Sequence, residues 1–208
     1  MIAVIDYGAG NLASVVNALQ RIGVPTHVTT DHDVIAAAEG VVFPGVGAAS
    51  DTMKHVNALG LSPVIRRVIE DGTPFLGICM GMQALMGVSL EGGEHQCLGV
   101  VPGSVRRLPD GQPVPHMGWN QVWQQRPSAL FEGIPDGAEF YFVHSYYVDP
   151  DDDSYTGATT EYGVNFASVF VRDNLFATQF HPEKSGAYGL RLLANFARVV
   201  ATQRQRVA

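Results

Sequence analysis

The sequence has few basic residues, and those it has are scattered. Lysine and arginine number 13 in 208 residues against 20 acidic residues, which gives a net charge of −7. No basic cluster is longer than the pairs at 66–67 and 106–107 and the RQR of the C-terminal tail. A protein that binds a phosphate backbone normally carries a basic face, so nucleic acid is not expected as a ligand.

Cysteine is almost absent. The two cysteines, Cys79 and Cys97, are too few to form a disulfide framework in a chain of this length. The N-terminal segment MIAVIDYG also lacks the basic region that opens a signal peptide. Together these features predict a reduced, cytoplasmic protein.

Metal-binding patterns are also missing. No two histidines stand at a metal-ligand spacing, and the acidic loop at 149–154 lacks the glycine and the final glutamate of a calcium loop. We therefore expect neither a metal nor another cofactor.

The one long uncharged run, residues 72–90, approaches the length of a membrane span. Glycines, Pro74 and Gln83 interrupt it, which is unfavourable for an isolated membrane helix. The run instead predicts a buried strand, a turn and a helix, and no contact with a membrane is expected.

Hydrophobic periodicity predicts the fold class. In the first half, short apolar runs such as 2–6 and 40–45 alternate with helical patterns such as 11–23, for which Asn11 is the expected N-cap. A further helix over 51–70 is expected to break near Gly60 and Pro63. Strands that alternate with helices form a mostly parallel sheet with helices on both faces.

From about residue 98 the pattern changes to short strands separated by turns, which predicts an antiparallel extension of the sheet. A helical stripe over 185–205 closes the chain. There is no internal repeat, linker or low-complexity segment. We therefore predict a single domain over residues 1–208.

The segment Gly77-Ile78-Cys79-Met80-Gly81 has the pattern of a nucleophile elbow with cysteine in the place of serine. A thiol at such a strand-to-helix turn faces unsatisfied backbone N–H groups and the positive end of a helix dipole. The alternative is that Cys79 is a small buried residue, as is expected for Cys97, which has no glycines beside it.

A thiolate nucleophile needs an imidazole and an acid that orients it. His181 and Glu183 follow a predicted strand, and residues i and i+2 of an extended chain point to the same side. The alternative is a helix start with an exposed glutamate. His116 and His144 lie in strand-like runs, where a histidine is more often structural.

Acyl chemistry also needs donors for an oxyanion. The backbone N–H of Met80, directly after the nucleophile, is one candidate. The second is the Val46 peptide in the glycine-rich segment PGVG, where Gly45 and Gly47 would let it face the site or rotate away. A plain turn is the alternative there.

The segment GAGNLA, residues 8–13, weakly matches a dinucleotide-binding turn, with Asp31 about twenty residues later. No second mononucleotide half follows it. A nucleotide-binding module therefore remains one alternative function, and a cysteine hydrolase or peptidase remains another.

The segments GICMGMQ (77–83) and FHPEKS (180–185) resemble the signatures of the class I glutamine amidotransferases. Within that family DYGAGN, PGVG, PHMGWN and FYFVHSYY resemble the members that pass ammonia to a synthase (cyclase) partner in histidine biosynthesis. The resemblance implies a flavodoxin-like or Rossmann-like sheet. It also implies hydrolysis of glutamine through a Cys79 thioester, within a heterodimer.

The same resemblance implies roles for further residues. A first set would contact glutamine: Gly47, Gln83, Glu91, Ser145 and Tyr146. Glu91 belongs to it only by its ungapped spacing from the cysteine, because residues 87–99 replace a more acidic stretch of the family. A second set would face the synthase: Asn11, Trp119, Tyr141 and Lys184. Aromatic and long basic side chains are common interface anchors.

Overall fold

The computed structural model describes residues 1–8 and 10–207, with side chains through residue 203. Its first half forms a parallel sheet. The strands are β1 (Ile2–Ile5), β2 (Thr26–Thr29), β3 (Gly40–Gly45), β4 (Phe75–Cys79) and, from the second half, β13 (Leu175–Thr178). Their spatial order is β2-β1-β3-β4-β13, and each neighbouring pair is parallel.

Helices cover both faces of this sheet. They are α1 (Leu12–Arg21), α2 (His32–Ala36), α3 (Ala49–Ala58), α4 (Leu61–Glu70), α5 (Met80–Gln83) and α6 (Gly186–Val207). One buried cluster joins α1 and α6 to strand residues such as Val4 and Val42, and the other joins α2, α3 and α4 to residues such as Ile5 and Phe43. Successive strand residues point to opposite faces, so β1 and β3 contribute to both clusters.

The other strands continue the sheet from β13. They are β5 (Met86–Ser89), β6 (His95–Gln96), β7 (Val101–Arg107), β8 (His116–Gln124), β9 (Ala138–His144), β10 (Tyr146–Pro150), β11 (Thr156–Glu161) and β12 (Asn165–Arg172). β12 runs antiparallel to β13, and β10 antiparallel to β12 and β7. β8 and β9 pair as an antiparallel hairpin that packs beside α6. The predicted α/β fold with an antiparallel extension is confirmed.

The predicted break between the helices of 51–70 is also present. Gly60 adopts a left-handed conformation with φ 65°, between α3 and α4. The helix predicted after Cys79, in contrast, is only one turn long. The carbonyls of Ala84 and Leu85 accept hydrogen bonds from Leu98 and Val100, so the chain leaves the helix and forms β5. One turn carries little macrodipole, which weakens that part of the sequence argument.

The residues of the weak dinucleotide-binding pattern have structural roles at the N-termini of helices. Ala9 lies outside the described residues. Asn11 is the N-cap residue of α1, as expected, with φ 72°, but its side chain makes no capping hydrogen bond. Asp31 accepts hydrogen bonds from the backbone N–H groups of Asp33 and Val34 and caps α2. This carboxylate is therefore engaged and not directed at a ribose.

No helix among the described residues combines the length and hydropathy of a membrane span.

Candidate active site

The candidate site lies where three neighbouring parallel strands end. β3 and β4 pair up to Gly45 and Cys79, and β13 pairs with β4 up to Thr178 and Ile78. Because carboxyl ends of parallel strands share one edge, Val46, Cys79 and His181 emerge together. This edge brings together residues that are far apart in the sequence.

Cys79 lies in the sharp turn that its flanking glycines predict. Its backbone has φ 53° and ψ −104°, a conformation that non-glycine residues rarely adopt and that is typical of functional sites. A Cβ on Gly81 would collide with the carbonyl oxygen of Phe43, and one on Gly77 would lie 2.9 Å from the Gly81 carbonyl oxygen. Gly81 is therefore required for this turn to pack against β3, and Gly77 for α5 to lie close against β4.

The proposed base and its acid contact each other. His181 Nδ1 lies 2.7 Å from Glu183 Oε1, and both side chains are almost fully buried. The pairing does not come from the extended chain that the sequence analysis expected, because Pro182–Lys184 forms a 3-10 turn directly after His181. That turn folds the carboxylate back under the imidazole.

Asn11 supports this pair. Its Nδ2 donates to Glu183 Oε1 at 2.5 Å, so the amide lies behind the carboxylate and holds it in place. This contact could not be predicted from the sequence, since the two residues are 172 positions apart.

The site favours a protonated imidazole. Burial lowers the pKa of His181, but interactions with Cys79 and Glu183, including their negative charges, raise it by more, to about 9. His181 Nε2 is buried and makes no well-aligned hydrogen bond among the described residues, although Cys79 is close enough to affect the ring. The remaining imidazole nitrogen is thus available for proton transfer.

A cavity of about 400 Å³ connects these groups. Its lining includes most residues selected from the sequence: Val46, Gly47, Cys79, Met80, Gln83, Glu91, Ser145, Tyr146, His181 and Lys184. Pro115, Val143 and His144 complete it. Another cavity of about 460 Å³, beside α6 and β12, has neither cysteine nor histidine among its lining residues.

The two residues predicted to supply the oxyanion donors, Val46 and Met80, line the same cavity as Cys79. Met80 is the first residue of α5, and the first N–H groups of a helix have no partner within it. Gly45 lies so close to Tyr7 and Met80 that a Cβ there would collide with the Tyr7 hydroxyl. Gly47 has φ 95°, which lets the chain turn at Val46 beside the cavity.

Two glutamines form a bridge beneath the nucleophile. Gln83 Nε2 donates to the Tyr146 carbonyl at 2.9 Å and to Gln179 Oε1 at 3.1 Å. Gln179 Nε2 in turn lies 3.8 Å from Cys79 Sγ. Both amide hydrogens of Gln83 are used, so it presents Oε1 to a ligand. Gln179 could not be predicted from the sequence, because a glutamine in the bend directly after a buried strand carries no local signal.

Glu91 lines the cavity but also has a structural partner. Its Oε2 accepts a hydrogen bond from the Ala49 N–H at 2.8 Å and so caps α3, whose N-cap Ala48 has no side-chain acceptor. The second carboxylate oxygen remains for a ligand.

Three of the residues expected at the interface form a border near the cavity, in which Trp119 and Lys184 are exposed and Tyr141 is half-buried. Trp119 is 54% exposed and lies edge-on to Tyr141 at 6.1 Å between ring centroids. Lys184 is exposed and lines the cavity. Asn11 differs, because its amide is directed at Glu183.

The other predicted features have ordinary surroundings. Cys97 is buried outside the cavity, and burial raises the pKa of its thiol to about 11, which fits the structural role expected of it. Within the residues described, no three acidic, histidine or cysteine side chains group as metal ligands.

Known proteins similar to this chain belong to the family that the sequence motifs resemble. The family model described as glutamine amidotransferase class-I matches residues 3–200. The imidazole glycerol phosphate synthase subunit HisH of Herpetosiphon aurantiacus is 54% identical over 203 residues, covering 98% of this chain and 96% of that protein. HisH of Moorella thermoacetica is 55% identical over 199 residues, covering 96% and 95%.

Solved structures share the fold. PurLQS from Thermotoga maritima aligns with a TM-score of 0.76 at 17% identity, covering 96% of this chain and 98% of that one. A structure described as glutamine amidotransferase aligns with a TM-score of 0.76 at 19% identity, covering 97% and 100%.

Proposed function

Because the chain belongs to the class I glutamine amidotransferase family, we propose that it is the glutaminase subunit of an imidazole glycerol phosphate synthase. It hydrolyses glutamine to glutamate and ammonia and passes the ammonia to a cyclase subunit in histidine biosynthesis. The observation that carries this proposal is the grouping of strained Cys79 and His181 at one cavity, with buried Glu183 in contact with the His181 imidazole. The similarity of the chain to HisH proteins along almost its whole length supports the assignment to histidine biosynthesis.

In the first half of the reaction, the Cys79 thiolate attacks the side-chain amide carbon of glutamine. A C–S bond forms, and the carbonyl electron pair moves to oxygen, where the N–H groups of Val46 and Met80 stabilise the oxyanion. The intermediate collapses by breaking the C–N bond. His181, which holds a proton at neutral pH, gives that proton to the departing ammonia.

In the second half, neutral His181 removes a proton from water, which attacks the thioester and releases glutamate. The thiolate leaves, and His181 retains the proton for the next cycle. Glu183, held by Asn11, keeps Nδ1 protonated and Nε2 directed at the reacting atoms.

The cavity lining supplies the substrate contacts. Gln83 Oε1 and the second Glu91 oxygen are free to accept hydrogen bonds from the α-amino group of glutamine. Gly47, Ser145 and Tyr146 lie on the same lining and complete the set.

The border formed by Trp119, Tyr141 and Lys184 is the proposed contact with the cyclase subunit in a heterodimer. The 54% exposed Trp119 ring offers a large apolar anchor, and the Lys184 ammonium offers a partner for an acid. In this proposal Asn11 supports the triad through its hydrogen bond to Glu183.

The proposal places one amidotransferase domain over residues 1–208 in the cytoplasm. The reaction needs Cys79 as a free thiolate, and both cysteines are free. A reducing compartment maintains that state.

The test of the nucleophile is Cys79→Ala, with Cys97→Ala as the matched control. We expect the first variant to lose glutamine hydrolysis while its circular dichroism and melting temperature stay native, and the second to retain activity. Hydrolysis that survives Cys79→Ala would refute the assignment.

The test of the partner is glutaminase activity with and without a cyclase subunit. Low turnover that the cyclase raises is expected. Strong turnover of the isolated chain that no cyclase changes would instead favour an independent cysteine hydrolase.

A further inference from the structure

Two buried histidines outside the triad face each other across the β8–β9 hairpin. His116 and His144 occupy opposite positions in the register, and His116 Nδ1 lies 2.9 Å from His144 Nε2. His144 Nδ1 lies 2.8 Å from the Tyr146 carbonyl oxygen, and His116 Nε2 lies 3.3 Å from Asn120 Nδ2. Four groups thus form one continuous hydrogen-bonded chain.

The acceptor at one end sets the direction of every bond. A carbonyl oxygen only accepts, so His144 Nδ1 carries the hydrogen, and in a neutral ring Nε2 is then an acceptor. His116 must donate to it from Nδ1, which makes His116 Nε2 an acceptor for the Asn120 amide. Each ring therefore has one tautomer, with the hydrogen on Nδ1.

Both rings are neutral. Burial lowers the pKa of His116 to about 4. Burial also lowers the pKa of His144 to about 3; the bond to the Tyr146 carbonyl opposes this, while the charges of His116 and His181 add to it. His116 stacks between Tyr162, at 3.8 Å, and Phe142, at 4.9 Å between ring centroids. The aromatic faces fix the plane in which it donates.

The hydrogen-bonded chain ends on the carbonyl of Tyr146, a residue that lines the cavity. The Tyr146 carbonyl also accepts from Gln83 Nε2, so two donors occupy its two lone pairs. Gln83 Nε2 also donates to Gln179 Oε1, and Gln179 Nε2 lies 3.8 Å from Cys79 Sγ. This carbonyl therefore joins the segment that bears Ser145 and Tyr146 to the amides beneath the nucleophile.

We propose that His144, kept in one tautomer by His116, is a positioning residue that fixes the 145–146 segment for glutamine. Free of its partner, His144 could place its hydrogen on Nε2 and release the Tyr146 carbonyl. The inference rests on the proposed function, because the effect is on glutamine binding.

The decisive variant is His116→Phe, which keeps a stacked ring and removes the donor. We expect the KM for glutamine to rise by roughly three- to tenfold, as for the loss of about one neutral hydrogen bond, with kcat changed by less than about twofold. Tyr162→Phe is the matched control: it keeps the neighbouring ring of the stack, loses only a hydroxyl bond to Pro113, and should leave KM unchanged.

A second variant separates tautomer control from packing. Asparagine at position 144 places an amide N–H near the Nδ1 position and has no alternative tautomer. In a His144→Asn background, His116→Phe should therefore raise KM no further. An equal effect of His116→Phe in both backgrounds, no effect in the native background, or a loss confined to kcat would each overturn the proposal.

Imidazole ¹⁵N chemical shifts of the unmodified protein test the chain without any variant. Both rings should show a protonated Nδ1 and an unprotonated Nε2 from pH 5 to pH 9. A protonated Nε2 on either ring would overturn the inference. If the protein hydrolysed no glutamine even with a cyclase subunit, the proposed function would fail, while the ring spectra would still report on the histidines.

Discussion

Replacement of Glu183 by glutamine removes the negative charge behind His181 while preserving the size of the side chain. The pKa of His181 lies at about 9 instead of 6.5, so the site favours the protonated ring by about 3 kcal/mol. Cys79 supplies part of this preference and Glu183 the rest. Loss of an adjacent charge typically changes a pKa by about one unit or more, so we expect a value near 8 in Glu183→Gln.

The sign of the effect on activity follows from the role of the proton. The imidazolium is present below its pKa and is lost as the pH rises, so activity that needs it falls on the alkaline side. With a pKa of about 9, about half of the rings are protonated at pH 9, and with a pKa near 8 only about a tenth are. The loss of kcat/KM in Glu183→Gln should therefore be about fivefold greater at pH 9 than at pH 7.

The assay is kcat/KM for glutamine from pH 6 to pH 10, together with an NMR titration of His181. Glu139→Gln is the control, since it removes an exposed carboxylate on β9. An alkaline limit that stays unchanged in Glu183→Gln would show that His181 does not supply the proton or that the carboxylate does not affect its pKa.

The same variant has a structural cost that must be measured separately. Glu183 Oε2 is buried and has no hydrogen-bond partner among the described residues. An amide N–H in its place would be equally unsatisfied, so the expected loss in the free energy of unfolding is that of the charge interaction with His181, about 1.4 kcal/mol for one pKa unit. Urea denaturation of both variants separates this loss from the change in pH dependence.

Three further outcomes are expected. Asn11→Gly keeps the left-handed backbone but removes the donor to the triad carboxylate, and it should lower kcat by about tenfold, in line with the loss of one charge-assisted hydrogen bond; an unchanged kcat would contradict this role. Gly81→Ala places a methyl group against the Phe43 carbonyl, and urea denaturation should show a loss of about 1–3 kcal/mol together with lost glutaminase activity; native stability would disprove the steric argument. A glutamine-like electrophile should modify Cys79 and spare Cys97, because burial raises the pKa of the Cys97 thiol to about 11. Peptide mapping identifies the modified cysteine, and equal labelling of both would count against the site.

Local sequence patterns predicted the parts that depend on near neighbours. The alternation of strands and helices, the break at Gly60 and the turn at Cys79 each follow from residues within a few positions of one another. The length of α5 could not be predicted in this way, because the residues that end it, around Leu98, are distant in the sequence.

By itself, therefore, the sequence determined which elements form and which residue types carry the chemistry, since steric and periodic preferences act over short separations. Only the tertiary structure decided which side chains contact each other in the site. Asn11 meets Glu183 across 172 positions and Gln179 meets Cys79 across 100, because the parallel strands bring their carboxyl ends to one edge. The pairing of His116 with His144 likewise depends on the register of β8 and β9, which neither strand encodes alone.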